Sequence, residues 1–278
     1  MLHYRKVLRN AKYGEMTQGT IFNGAISRFY KDHSLYGVII SPRCDIVQKK
    51  VPHYYYLPIV HLEEWINIEL PEIFLTRIEK EAHGNLRKVF EKCGISKNIL
   101  KQYKADELLS IIEKLNKDSK NKEINKNRKE IDANLNKIKD IEQYNHKILK
   151  IEDLYSRYHK TRKQIISEIT ENATPHFYFI EHKENNNKTF FIIRMREINK
   201  LEPGLFEKIA HGIDSPLADD CIKNSDIKQT QTDMIIMPLY VIESPFLEHI
   251  IQQFIQQFSK IGVEDLCKEV KEEIIEHY

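Results

Sequence analysis

Short β-type runs stand at both ends of this chain, and a helical, charge-rich zone of about a hundred residues lies between them. In the first zone, residues 1–70, the runs are GTIFNGAI (19–26), YGVIIS (36–41) and HYYYLPIV (53–60). Segments this short, rich in Val, Ile and Tyr and bounded by Pro and charged residues, read as paired strands. In the last zone, 173–278, HFYFIEH (176–182) and KTFFIIRM (188–195) flank the turn-forming ENNN as a β-hairpin, and DMIIMPLYVIE (233–243) is a further strand. Three strands by themselves would make a marginal core. The expected fold is therefore α+β: a small SH3-like barrel or mixed sheet drawn from both ends of the chain. A helical-hairpin insertion over 71–172 would interrupt it, and C-terminal helices would cover it.

Within the middle zone, Glu72–Cys93 reads as a helix stopped by Gly94, since glycine readily takes the left-handed conformation beyond a helix end. Ser96 is the expected cap of the next helix, whose apolar face carries Ile99, Leu100, Leu108, Ile111, Ile112 and Leu115. The lysine- and asparagine-rich KDSKNKEINKNRK (117–129) predicts a hairpin tip or a linker. From 128 to 170, Ile131, Leu135 and Ile138, then Ile148, Ile151, Tyr155, Tyr158, Ile165 and Ile169, form a near-heptad stripe. It predicts a long antiparallel arm through which the chain could also associate with itself. Ser244-Pro245 opens a last amphipathic helix, 246–260. Its Leu247, Ile250, Ile251, Phe254, Ile255 and Phe258 share a stripe expected to face the core.

Composition narrows the function classes. The net charge of +2 points neither to nucleic acid nor to membrane in bulk, so any basic patch has to be local. No apolar run approaches the ~20 residues of a bilayer span, and the N-terminus lacks the apolar core of a signal peptide. Cys44, Cys93, Cys221 and Cys267 are scattered without a CxxC pair, which predicts reduced thiols and a cytoplasmic protein. With only 9 glycines and no phosphate-cradling glycine loop, no cofactor is expected.

Four groups of residues carry candidate chemistry. Arg43, Cys44 and Asp45 sit between two strands, where functional residues tend to lie. Cys44 would be a nucleophile assisted by Arg43 and Asp45, with His53 or His61 as base. The competing reading packs Cys44 at a strand end and uses Asp45 to organise the turn. The catalytic candidates are thus Arg43, Cys44, Asp45 and His61. Asp45, His53, His61 and Cys44 match no standard ligand spacing, so no metal is expected. A second group, Asp214, Asp219, Asp220, Asp226 and Asp233, with Glu181, Lys183 and Lys188 on the hairpin, is suited to Mg²⁺ or to helix capping. In YSRYHKTRK (155–163), Arg157, Lys160, Arg162 and Lys163 are interleaved with Tyr155 and Tyr158 and are the candidate nucleic-acid-binding residues. The competing reading is a solvated helix face. Finally, Glu248 and His249 are neighbours on a helix and point about 100° apart, so they do not form an acid–base pair.

Two resemblances add context. Gly37-Val-Ile-Ile-Ser-Pro followed by Tyr54-Tyr-Tyr-Leu-Pro-Ile-Val resembles the strand pair of the PemK/MazF-like small barrels, which are toxin endoribonucleases. Leu35 and Tyr36 stand where that family places its catalytic arginine, and Val60 where it has a threonine. The ISxxCDI segment (Ile40–Ile46), the aromatic strand His176–Ile180 and SPFLEHIIQQFIQQFSKIGV resemble a group of bacterial proteins from mobile and phage-defence gene neighbourhoods. Together they imply an accessory or interaction subunit of an anti-phage defence or toxin–antitoxin-like system, with a partner protein from the same operon and nucleic acid as a second partner. The alternative is an endoribonuclease or other hydrolase working around Arg43, Cys44 and Asp45.

Overall fold

The computed structural model describes residues 5–31, 33, 35–119, 122–184, 187–214 and 235–258. The first zone forms β1 (Leu8–Asn10), β2 (Thr20–Ala25), β3 (Leu35–Ile39), the short helix α1 (Arg43–Gln48) and β4 (Tyr54–His61). β3 and β4 pair antiparallel, in the register Tyr36↔Ile59 to Ile39↔Tyr56. The polar segment between them winds into α1 because Ile46 finds an apolar seat and Lys49 turns the chain in the left-handed conformation, at φ 52°. The helical zone starts at once with α2 (Leu62–Ile68), then α3 (Leu70–Lys92), α4 (Ile99–Gln102), α5 (Ala105–Ser119), α6 (Lys122–Asn145), α7 (Ile151–Arg157) and α8 (His159–Thr170). The chain then returns to strands: β5 (Phe177–Glu184), β6 (Asn187–Arg194), β7 (Asn199–Leu201), α9 (Pro203–His211), β8 (Pro238–Ile242) and α10 (Phe246–Phe258). No helix among the described residues is long and apolar enough to cross a membrane.

The chain divides into two compact units, Met1–Val60 with Thr174–Tyr278, and His61–Ala173. In the first, eight strands follow the order β1-β8-β2-β3-β4-β6-β5, with β7 added beside β4. Its end strands approach each other: Arg5, just ahead of β1, places Nε 2.7 Å from Glu181 Oε1 on β5. The result is a nearly closed, antiparallel, barrel-like sheet. Alternate residues such as Ile21, Val38, Leu57 and Ile193 point to one shared core, onto which α10 lays Leu247 and Ile250. β4 is buried on its other face too, where Tyr54 stacks on Phe206 of α9 at 4.1 Å. A buried ion pair lies beneath the β2–β3 connection. Glu197 takes hydrogen bonds from Arg194 Nε at 2.8 Å, Ser27 Oγ at 2.7 Å and the Arg28 amide at 2.7 Å.

The second unit is a helical bundle in which α3 packs against α6 and α8, and α5 against α6. Three expectations are refined here. The 117–129 segment is helical on both sides of residues 120–121, because Lys and Glu are good helix formers and Ile124 docks in the bundle core with Leu86 and Phe90. The near-heptad stripe is not a free arm: Ile131 and Leu135 are spent in that same core, while Ile148 is left 69% exposed between α6 and α7. The helix expected from Ser96 is instead split into α4 and α5, and the Lys104 amide donates to Glu107 at the start of the second piece.

Arg77 of α3 grips Glu168 of α8 with two hydrogen bonds of 2.8 and 2.7 Å. The guanidinium holds the Glu168 carboxyl below its ordinary value of 4.5, against the opposing effect of burial. A depressed carboxyl contributes stability above its unfolded-state value and loses it as pH falls through the folded-state value. Glu168→Gln is therefore expected to cost about 1 kcal/mol at pH 7. Urea melts at pH 7 and pH 3 check this, since the difference from wild type should narrow at the lower pH.

Candidate functional site

The segment after β3 is fastened before it reaches α1. Gln18 Nε2 donates to the Ile40 carbonyl at 3.1 Å, and the Tyr55 amide donates to Ser41 Oγ at 2.7 Å. At its far end Lys49 Nζ lies 2.7 Å from Glu207 Oε1 on α9. This frame presents Arg43 and Cys44, both exposed, across a groove of about 660 Å³ from α10. Leu247, Ile251 and Ile255 form its apolar floor, and Glu248, Gln252 and Gln256 its polar flank. The stripe read as core divides along the helix. Leu247 and Ile250 are buried and Ile251 and Phe254 half-buried, while Ile255 and Phe258 are 58% and 59% exposed. Only the first turns of α10 reach the barrel core, so the last turn leaves its apolar side chains in the groove or beside it. The width of the stripe, six apolar positions in the twelve residues 247–258, was the signal available in the sequence.

The catalytic candidates are only partly brought together. Arg43, Cys44 and Asp45 share α1, and the Cys44 thiol donates to Asp45 Oδ1 at 3.5 Å. His61 is the last residue of β4, whereas α1 follows the end of β3 that pairs with the start of β4. Five residues separate Tyr56, the partner of Ile39, from His61, which is about 16 Å along the strand. His53 is at the right end of β4, but its Nδ1 lies 3.1 Å from Glu202 Oε1, a close contact with the N-cap residue of α9 that is off-axis for a hydrogen bond. Among the described residues no three His, Cys, Asp or Glu side chains converge as metal ligands. Glu248 and His249 diverge as helical geometry requires. Glu248 lines the groove, and His249 Nδ1 is 3.0 Å from the Tyr178 hydroxyl, a phenol whose burial pushes its pKa up. Of the acidic group, Asp214 is exposed, and Asp219, Asp220, Asp226 and Asp233 lie outside the described residues.

The basic stretch of the second unit splits three ways. Arg157 Nη1 and the Tyr158 hydroxyl both donate to Asp140 of α6, at 2.6 and 2.7 Å, and so tie α7 to α6. Burial, and then the Asp140 hydrogen bond, hold the Tyr158 phenol far above its ordinary value, so it stays a donor. Lys160 and Lys163 are exposed and, three apart, share a face of α8. Arg162 lies about 200° round the helix from Lys160 and stacks on the Tyr155 ring at 4.6 Å. The four cations therefore do not form one track.

In comparisons with known proteins the chain matches no family model, no curated protein and no solved structure.

Proposed function

We propose that this chain is an interaction subunit of a bacterial anti-phage defence or toxin–antitoxin-like system. It holds a partner protein from the same operon, in the cytoplasm, through the groove between α1 and α10. In this reading the first unit is an SH3-like barrel and the second an insertion into it. The observation that carries the proposal is the apolar floor of the groove, with Ile255 more than half exposed beside Arg43 and Cys44. An exposed apolar strip edged by polar groups is what a protein contact needs: apolar area to bury, and a charged rim to fix register. Arg43 on one wall and Glu248 on the other supply both signs of charge, which suits an amphipathic helix with charged flanks.

Ile255→Glu tests it. The substitution alters an exposed position, so the melting temperature is expected to stay within about 1 °C of wild type. In pull-downs of the tagged full chain from its host, wild type is expected to retain a stoichiometric operon-encoded protein, and the variant at least tenfold less of it. Equal recovery by both, or recovery of nucleic acid without a protein partner, would overturn the proposal.

A further inference from the structure

At the corner between α7 and α8 the second unit opens a cleft of about 600 Å³, a size typical of small-molecule sites. Ile66, Pro71 and Ile151 give it apolar walls, and Tyr155, His159 and Arg162 bring hydrogen-bonding groups to it. The Arg162 guanidinium lies over the Tyr155 ring, 4.6 Å from its centre, and that ring is itself fixed edge-on against Phe74 at 4.8 Å. The cation is thus held in one place before any ligand arrives, which lowers the ordering cost of binding. Both residues also carry an enclosed polar atom, Arg162 Nε and the Tyr155 hydroxyl, with no hydrogen-bond partner among the described residues. Buried polar atoms are nearly always partnered, and two orphans on one stacked pair that lines a cleft leave donor capacity that a small turn of either side chain would bring to an acceptor there.

We propose that this cleft binds a small phosphate ester of mononucleotide size, with Arg162 as the partner of its phosphate. The guanidinium fork matches the geometry of an oxyanion, and a phosphate has terminal oxygens enough for Arg162, Tyr155 and His159 together. The volume is several times what a bare oxyanion fills, and the Ile66–Pro71–Ile151 wall offers contact to an organic body. Glu152, exposed at the cleft, disfavours a second phosphate and suits a hydroxyl-bearing sugar. A polynucleotide is disfavoured because Arg157 is committed to Asp140 and the two exposed lysines point elsewhere. Burial keeps the Tyr155 phenol neutral and a donor, its pKa being raised above the ordinary value. The site is independent of the partner groove, since all its lining residues belong to the other unit.

Isothermal titration of the full chain with each of the four 5′-ribonucleoside monophosphates, with inorganic phosphate and with a single-stranded oligoribonucleotide tests the proposal. At least one mononucleotide is expected to bind more tightly than inorganic phosphate. Arg162→Ala should weaken it tenfold or more, Arg162→Lys should weaken it less, and Lys163→Ala should leave it unchanged. Melting curves for each variant separate lost binding from lost fold, and Tyr155→Phe, which keeps the ring under Arg162, should weaken binding severalfold without unfolding the bundle. No saturable mononucleotide binding, binding indifferent to Arg162, or inorganic phosphate binding as tightly as every nucleotide would overturn it. So would an oligonucleotide that binds more tightly than any mononucleotide and depends on Lys160 and Lys163.

Discussion

Replacing Arg194 with methionine is expected to cost about 3 kcal/mol and to lower the melting temperature by roughly 10 °C. Arg194 and Glu197 are each 8% exposed, and the guanidinium is also sandwiched near Phe29 and Tyr30, at 4.1 and 5.4 Å from their ring centres. Removing one partner leaves the Glu197 carboxylate buried without its counter-charge. Ser27 and the Arg28 amide still donate to it, which keeps the expected loss near the lower end for such pairs. Glu197→Gln leaves the mirror problem, a buried guanidinium facing an amide. The double variant Arg194→Met with Glu197→Gln removes both charges and keeps one amide oxygen to accept from the Arg28 amide, with its NH2 left to donate to Ser27 Oγ. It is therefore expected to be more stable than either single variant, as thermal melts of all three would show. A double variant that loses the sum of the two single effects would mean the pair does not act as a unit.

The second large effect is expected at Gly37, in the middle of β3. Its backbone is extended, so conformation does not demand glycine, but space does. A Cβ there would sit 2.7 Å from the Phe22 ring and 2.8 Å from Tyr56, two fully buried rings packed edge-to-face at 5.2 Å. Neither ring has room to retreat, because β2 and β4 flank β3 on both sides. Gly37→Val is expected to destabilise the barrel by about 3 kcal/mol through overpacking. The milder Gly37→Ala should lose less, and Gly37→Ala with Phe22→Leu should recover part of that loss in the same urea melts. No recovery would place the strain somewhere other than the Phe22 ring.

The strands were legible where apolar residues run together and less so elsewhere. GTIFNGAI, YGVIIS, HYYYLPIV and the 176–195 hairpin all form strands close to their expected bounds. β1 and β7, at three residues each, carry no period to read and exist only because longer neighbours offer them an edge. The helix α1 was hidden because a six-residue segment with one buried side chain, Ile46, does not announce an amphipathic face. Membership in a site proved harder to read than secondary structure. Adjacency in sequence grouped Arg157 with Arg162, and helical geometry then sent one to Asp140 and the other onto Tyr155. Likewise His61 is near Cys44 in sequence, but an antiparallel strand carries it to the opposite end. The groove beside α10 joins residues about two hundred positions apart, a proximity created only when the barrel closes.

The most direct test of the interaction-subunit account uses the thiol already present in the groove. Cys44 is exposed, whereas Cys93 is buried in the helical bundle, where burial also pushes its thiol pKa up. Iodoacetamide labelling, read peptide by peptide in the free chain and in the stoichiometric complex recovered from the host, compares the two. The account predicts that the partner slows labelling of Cys44 at least tenfold and leaves Cys93 unchanged. Equal labelling of Cys44 in the free and bound chain would contradict it.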